Sequence, residues 1–213
     1  MCGRFNLRLT RGELQLFFDL CRAPELSPRN NIFPTQPIVA IRFGEAPAEQ
    51  GNRVADLLRW GLVPSWSKSL RGGPVLINAR SETVATTNVF RTAFKRRRCL
   101  IPASGFYEWQ QVAPKIKQPW QISRQDGEPL AFAGVWERWE SPEGSVLESC
   151  SILTTTANSV IRIIHDRMPV ILPPAAIDEW LDPQQQDVNA LQRWLRPCPE
   201  ESLKTERVNA VED

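Results

Sequence analysis

Between residues 99 and 154 the chain carries one strand-like run after another, with nothing helical between them. CLIPASGFYEWQQV (99–112) reads as strand, glycine turn, strand, and three further runs fall at 119–124, 130–138 and 146–154. Upstream, IVAIRF (38–43) and RVADLLRWGL (53–62) read as an antiparallel pair, and VLINARSETV (75–84) starts as a buried strand and turns at its polar end. Helical patterns are short and lie at the margins. Thr10 and Glu13 form a capping box ahead of an apolar stripe at Leu14, Phe17, Phe18 and Cys21. Others fall at 88–98, 157–164, 174–181 and 187–195. Four prolines between Pro24 and Pro37 argue against regular structure there. This is not the βαβα alternation of a doubly wound fold; it predicts an α+β fold with a mostly antiparallel sheet.

With 213 residues, no internal repeat and no low-complexity linker, one domain over 1–213 is the expected count. No run of about 18 apolar residues is present, which excludes a membrane-spanning helix. The N-terminus is charged and lacks the apolar core of a secretory signal, so a cytoplasmic location is expected. Five cysteines without a CxxC pair and a single histidine argue against a zinc site, so no metal is expected. Cys21, Cys99, Cys150 and Cys198 are expected to be buried as small apolar residues. Charge is unevenly spread. The chain has 26 basic and 24 acidic residues; five acids and two bases fall in 199–213, an acidic tail, leaving a surplus of five positive charges in 1–198. A basic body permits a polyanionic partner. Eight tryptophans stand beside one tyrosine; about six are expected to pack in the core, leaving one or two as stacking platforms. The basic run at 95–98 reads as a solvated helix face.

Several residues invite chemistry. Cys2 becomes a 1,2-aminothiol if Met1 is removed, placing an amine and a thiol on neighbouring carbons; it also reads as an ordinary residue at a frayed terminus. His165, between an apolar run and two charges, suits proton transfer or a buried structural role. Glu108 sits among aromatics, which tends to raise a carboxyl pKa. Asn78 and Arg80 end a buried strand, where asparagine is a poor strand former with a hydrogen-bonding reason to be there.

Five segments appear in order: MCGRF (1–5), WGLVPSW (60–66), INARSET (77–83), CLIPASGFYEW (99–109) and IHDRMPVIL (164–172). Together they resemble the SRAP family (SOS response-associated peptidase) over nearly the whole chain. The resemblance implies a single α+β domain built around a curved, barrel-like antiparallel sheet with short peripheral helices. It implies binding of single-stranded DNA and a covalent thiazolidine crosslink between Cys2 and abasic sites. On that pattern Asn78 positions Cys2, and Glu108 and His165 move protons. Arg4 and Arg80 grip phosphates, Trp66 stacks, and Thr154 and Arg167 line the DNA groove. No cofactor, no membrane and a monomer are expected. Phe33 stands where the family pattern has a small residue, and Asn88 where some members carry a basic one. Two other classes stay open: a cysteine peptidase with Cys2 as N-terminal nucleophile, and a non-catalytic single-strand-binding module.

Overall fold

The computed structural model describes residues 2–70 and 73–211. In chain order its strands are β1 (Phe5–Leu7), β2 (Leu20–Arg22), β3 (Arg29–Ile32), β4 (Pro37–Phe43), β5 (Arg53–Trp60), β6 (Asn78–Arg80), β7 (Arg98–Ala103), β8 (Gly105–Ala113), β9 (Ile116–Arg124), β10 (Leu130–Glu140), β11 (Val146–Thr156), β12 (Arg167–Pro169) and β13 (Leu203–Arg207). The helices are α1 (Arg11–Phe18), α2 (Arg91–Arg96), α3 (Ser159–Arg162), α4 (Ile177–Leu181) and α5 (Val188–Gln192).

Five strands close on themselves. β5 pairs with β4, β4 with β7, β7 with β10 and β10 with β11, all antiparallel. β11 then returns to β5 in parallel, Ser149 beside Arg59 and Cys150 beside Trp60. The result is a closed, barrel-like sheet, and closure removes the exposed edge that an open sheet would leave at that seam. β6 and β12 add to β11, and β2 to β5. A second sheet, in the order β13-β9-β8-β1-β3, is antiparallel throughout. Its inner face packs on the barrel through aromatic rings. Phe5 lies 5.2 Å from Trp60 and 6.1 Å from Phe132, centroid to centroid, and Phe106 lies 5.9 Å from Phe132. Burying each such ring contributes roughly 1.5–3 kcal/mol.

The capping box forms as the sequence predicts: Thr10 accepts from the Glu13 amide, and Glu13 reaches back to the Thr10 N–H. Other expectations need correction. β1 forms in the N-terminal residues, β2 at the end of the helical stripe and β3 within the proline-rich stretch. The pattern at 75–84 yields only the three residues of β6. The acidic tail supplies an edge strand, β13 pairing with β9 from Leu203–Arg124 to Arg207–Trp120. Cys21 is exposed on β2, the edge strand of the barrel sheet, and Cys198 is only half-buried in the segment after α5. The solvated helix face at 95–98 ends early: Arg98 is 3% exposed and opens β7. Its guanidinium donates to the carbonyls of Phe94, Lys95, Trp180, Asp182 and Gln185 at 2.5–2.9 Å. Desolvation pushes its pKa down to about 10, opposed by Asp182 and Glu179, so the charge is kept at neutral pH. Of the tryptophans, Trp60, Trp136, Trp139 and Trp180 are buried, whereas Trp66 is 68% exposed.

Candidate active site

β1 lies between β8 and β3, and its register with β8 sets Phe5 opposite Phe106. The Tyr107 N–H donates to the Arg4 carbonyl at 2.9 Å, so the pairing runs on toward the chain start. That seat carries Cys2 into the interior, where it is fully buried. It is not a frayed end.

Asn78 reaches the same place from the barrel. β6 runs parallel to β11, with Asn78 beside Ile152 and Arg80 beside Thr154. Asn78 Nδ2 donates to the Cys2 carbonyl at 3.0 Å. Its Oδ1 is buried and has no hydrogen-bond partner among the described residues. The asparagine at this strand end is therefore spent on holding residue 2, the duty its poor strand propensity suggests.

Glu108 shares the inner face of β8 with Phe106, as strand alternation requires, and is 3% exposed. Burial raises its pKa, with the His165 charge among the influences working the other way. Burial also pushes the Cys2 thiol well above its ordinary value, and the Glu108 charge adds to that push. A thiol kept neutral thus sits within the field of a carboxyl that is a stronger base than usual.

His165 arrives from the segment after α3, whose first turn is capped by Asn158 accepting from the Ile161 N–H at 3.0 Å. Gln110 Nε2 ties β8 to this segment by donating to the Ile163 carbonyl at 2.8 Å. The Arg167 N–H donates to His165 Nδ1 at 3.0 Å, while Asp166 Oδ1 lies 2.8 Å from the same nitrogen. The first contact needs a lone pair on Nδ1, the second a proton. The backbone donor is fixed at the start of β12, whereas the Asp166 side chain is 84% exposed. The neutral ring therefore keeps its proton on Nε2.

Cys2, Asn78 and Glu108 converge, and His165 acts on Glu108. The outer residues are placed more variously. Arg4 donates to Asn31 Oδ1 at 2.8 Å and lies over the Phe33 ring, 5.1 Å from its centroid. Arg80 is exposed. Trp66 stands out from the loop after β5, beside an apolar concavity with Pro64, Leu70 and Leu76 in its walls. The two residues expected at the groove lie deeper. Thr154 is fully buried. Arg167 is half-buried and gripped by Glu82 at 2.6 and 3.0 Å and by the Thr154 carbonyl at 2.7 Å. Those bonds from Arg167 hold Glu82 below the usual carboxylate range. Glu82 and Gln110 were not singled out from sequence; each is an ordinary polar residue until its partner, 85 and 53 positions away, is known. Among the described residues no group of three or more His, Cys, Asp or Glu could hold a metal ion. No helix among them is long and apolar enough to cross a membrane.

A barrel with the chain's second residue clamped inside it defines the class. A family model described as SOS response associated peptidase (SRAP) matches residues 1–211, and the chain belongs to that family. Abasic site processing protein YoqW of Bacillus subtilis is 37% identical over 214 residues, covering 99% of this chain and 93% of its own. Abasic site processing protein YedK of Escherichia coli is 32% identical over 192 residues, covering 85% and 79%. A solved structure of a Bacteroides thetaiotaomicron protein shares the fold, with a TM-score of 0.85 at 23% identity, covering 98% of this chain and 92% of that one.

The buried carboxyl makes a prediction with a definite sign. A raised folded-state pKa means the folded protein binds the Glu108 proton more tightly than the unfolded chain does. The resulting stability is full below the ordinary carboxylate range and is lost as pH rises through the raised value. Glu108→Gln should therefore melt higher than wild type at neutral pH, with the gap closing on acidification. Thermal melts across that range check it; a lower Tm for the variant at neutral pH contradicts the assignment.

Proposed function

We propose that this protein captures abasic sites in single-stranded DNA by a thiazolidine crosslink through Cys2 after Met1 is removed. The observation that supports this best is the Asn78 bond to the Cys2 carbonyl, with buried Glu108 beside the thiol. The relatives named abasic site processing proteins support the substrate class. Met1 itself lies outside the described residues.

The chemistry follows from a 1,2-aminothiol. Water cleaves the Met1–Cys2 peptide bond and releases methionine. An ordinary α-amine has a pKa of about 7.7–8, which leaves a useful neutral, nucleophilic fraction at physiological pH. An abasic deoxyribose opens to an aldehyde. The amine nitrogen attacks the aldehyde carbon, and loss of one water gives an imine. The Cys2 sulphur then adds to the imine carbon, its proton ends on nitrogen, and a five-membered ring closes. One water leaves in total; no oxidant or reductant is needed. Glu108 relays the thiol and amine protons, and His165 Nε2–H donates to the sugar ring oxygen as it opens. Asn78 holds Cys2 against drift, the function of a positioning group.

Arg4 and Arg80 contact phosphates, and Trp66 offers a stacking surface that any base accepts. Binding is then insensitive to sequence and falls steeply with salt. Intact mass of the purified protein, alone and after incubation with an abasic oligonucleotide, tests the reading. The expected masses are the chain without Met1, and that chain plus the oligonucleotide minus one water. A fully active protein that retains Met1 overturns it, and steady hydrolysis of added peptides would favour the peptidase instead.

A further inference from the structure

The strand near the C-terminus delivers a cation to an unexpected place. Arg207 closes β13 and joins Arg8, just past β1, around a cavity of about 420 Å³. Asn30, Tyr107, Gln121 and Asn209 supply most of the remaining wall, and no carboxylate lines it.

Both arginines are held in place by neutral groups. Arg8 Nε donates to Asn30 Oδ1 at 3.0 Å. The Arg207 guanidinium lies 5.1 Å from the Trp120 ring centroid. Among the described residues neither is paired with an acid. By contrast, Arg22, Arg42, Arg53, Arg124 and Arg193 each meet a carboxylate. Two guanidinium groups without an acid partner in one polar concavity give it a local positive charge. Guanidinium forks match phosphate oxygens in geometry as well as charge. The Tyr107 hydroxyl already accepts from Asn6 and donates to the Asn30 carbonyl, so it acts as wall, leaving the arginines and amides to meet a ligand.

Position gives the cavity its meaning. Strand alternation puts Arg4, Asn6 and Arg8 on the same side of β1. At a rise of about 3.3 Å per residue, Arg4 and Arg8 are spaced roughly 13 Å apart along the strand. Arg4 adjoins the Cys2 end, and Arg8 leads to Arg207. We infer that this cavity binds a backbone phosphate of the same DNA strand that presents its abasic sugar to Cys2. The strand leaves the reactive residue along β1 and crosses the outer face of the second sheet. This rests on the proposed function and extends it by a site that Arg4, Arg80 and Trp66 do not cover.

The test uses mixed-sequence oligodeoxynucleotides with one abasic site, either minimal or extended by several nucleotides on the 5′ or the 3′ side. Affinity is read across a salt series, and crosslink yield in denaturant. Wild type should gain affinity and salt dependence from extension on one side. Arg8→Ala/Arg207→Ala should lose that gain, its log–log salt slope becoming shallower by about 0.7 for each phosphate contact removed. The variant should crosslink the minimal oligonucleotide at the wild-type rate. Arg138→Ala/Arg193→Ala removes the same charge elsewhere and should keep the gain. The inference is overturned if the cavity variant matches wild type on extended strands, or if the charge-matched control loses as much. Should wild type bind and crosslink while the cavity variant is unchanged, only the cavity assignment falls. Should wild type bind no single-stranded DNA, the proposed function falls and takes the cavity with it.

Discussion

Cys2→Ser should capture an abasic sugar only in a form that denaturation destroys. The variant keeps the amine, so the imine still forms. It lacks the sulphur that closes the ring, and an imine left open returns to amine and aldehyde in water. Wild type should give an adduct that survives denaturant without any reductant. The serine variant should give one only when borohydride is added to reduce the imine. The difference comes from the second bond. A thiol attached to the next carbon closes on the imine with an effective molarity of up to about 10⁵–10⁸ M in well-oriented cases. Cys2 is well placed for this because its carbonyl is tethered by Asn78 at 3.0 Å. Denaturing gels with and without borohydride, beside a melting curve to confirm folding, decide the matter. Wild-type yields of stable adduct from the serine variant without reductant would end the thiazolidine account.

The second large effect is on stability. Arg98→Ala should cost on the order of 3–5 kcal/mol, because bonds to five carbonyls are lost at once and each buried orphan costs roughly 1–3 kcal/mol when water cannot reach it. Among the described residues only the Asp182 carbonyl keeps a backbone donor, the Gln185 N–H. The figure is below the simple sum because water reaches the outer carbonyls once the side chain is gone. At about 2–4 °C per kcal/mol for a chain of this size, Tm should fall by roughly 6–20 °C. Those carbonyls belong to the end of α2, to the end of α4 and to the turn beyond it, so one side chain fastens three segments to the barrel. Arg98→Lys should recover only part of the loss, since an ammonium has three donors and no fork. Urea melts measure both variants. A cost below about 1 kcal/mol for the alanine would show that water replaces the guanidinium freely.

The long strands were readable because their apolar residues are numerous and their boundaries are marked. β4, β5, β10 and β11 each run for at least seven residues. The short ones were not. β1 is FNL, β2 is LCR and β3 is RNNI, too brief and too polar for a period of two to emerge. Short strands take their place from partners far along the chain: Phe5 of β1 is set by Phe106, and Leu203 of β13 by Arg124. The same distance effect governs the site. Cys2, Asn78, Glu108 and His165 are each suggestive by residue type, but only register and packing bring them together. Arg167 shows the converse. Its sequence neighbours give no sign of Glu82, the acid that occupies it.

The parallel seam between β5 and β11 joins positions about ninety residues apart, Arg59 with Ser149 and Trp60 with Cys150. A ribosome making this chain exposes the Cys2 end early and the seam much later, with β12, α4, α5 and β13 still to follow. Until β11 has emerged, β6 has no partner strand and Asn78 no fixed place, so residue 2 lacks its tether from the barrel. Pairings this remote also close slowly, on millisecond-to-second timescales for sheet-rich domains. A polypeptide cut short before β11 would carry Cys2 without the Asn78 bond that fixes its carbonyl in the folded chain.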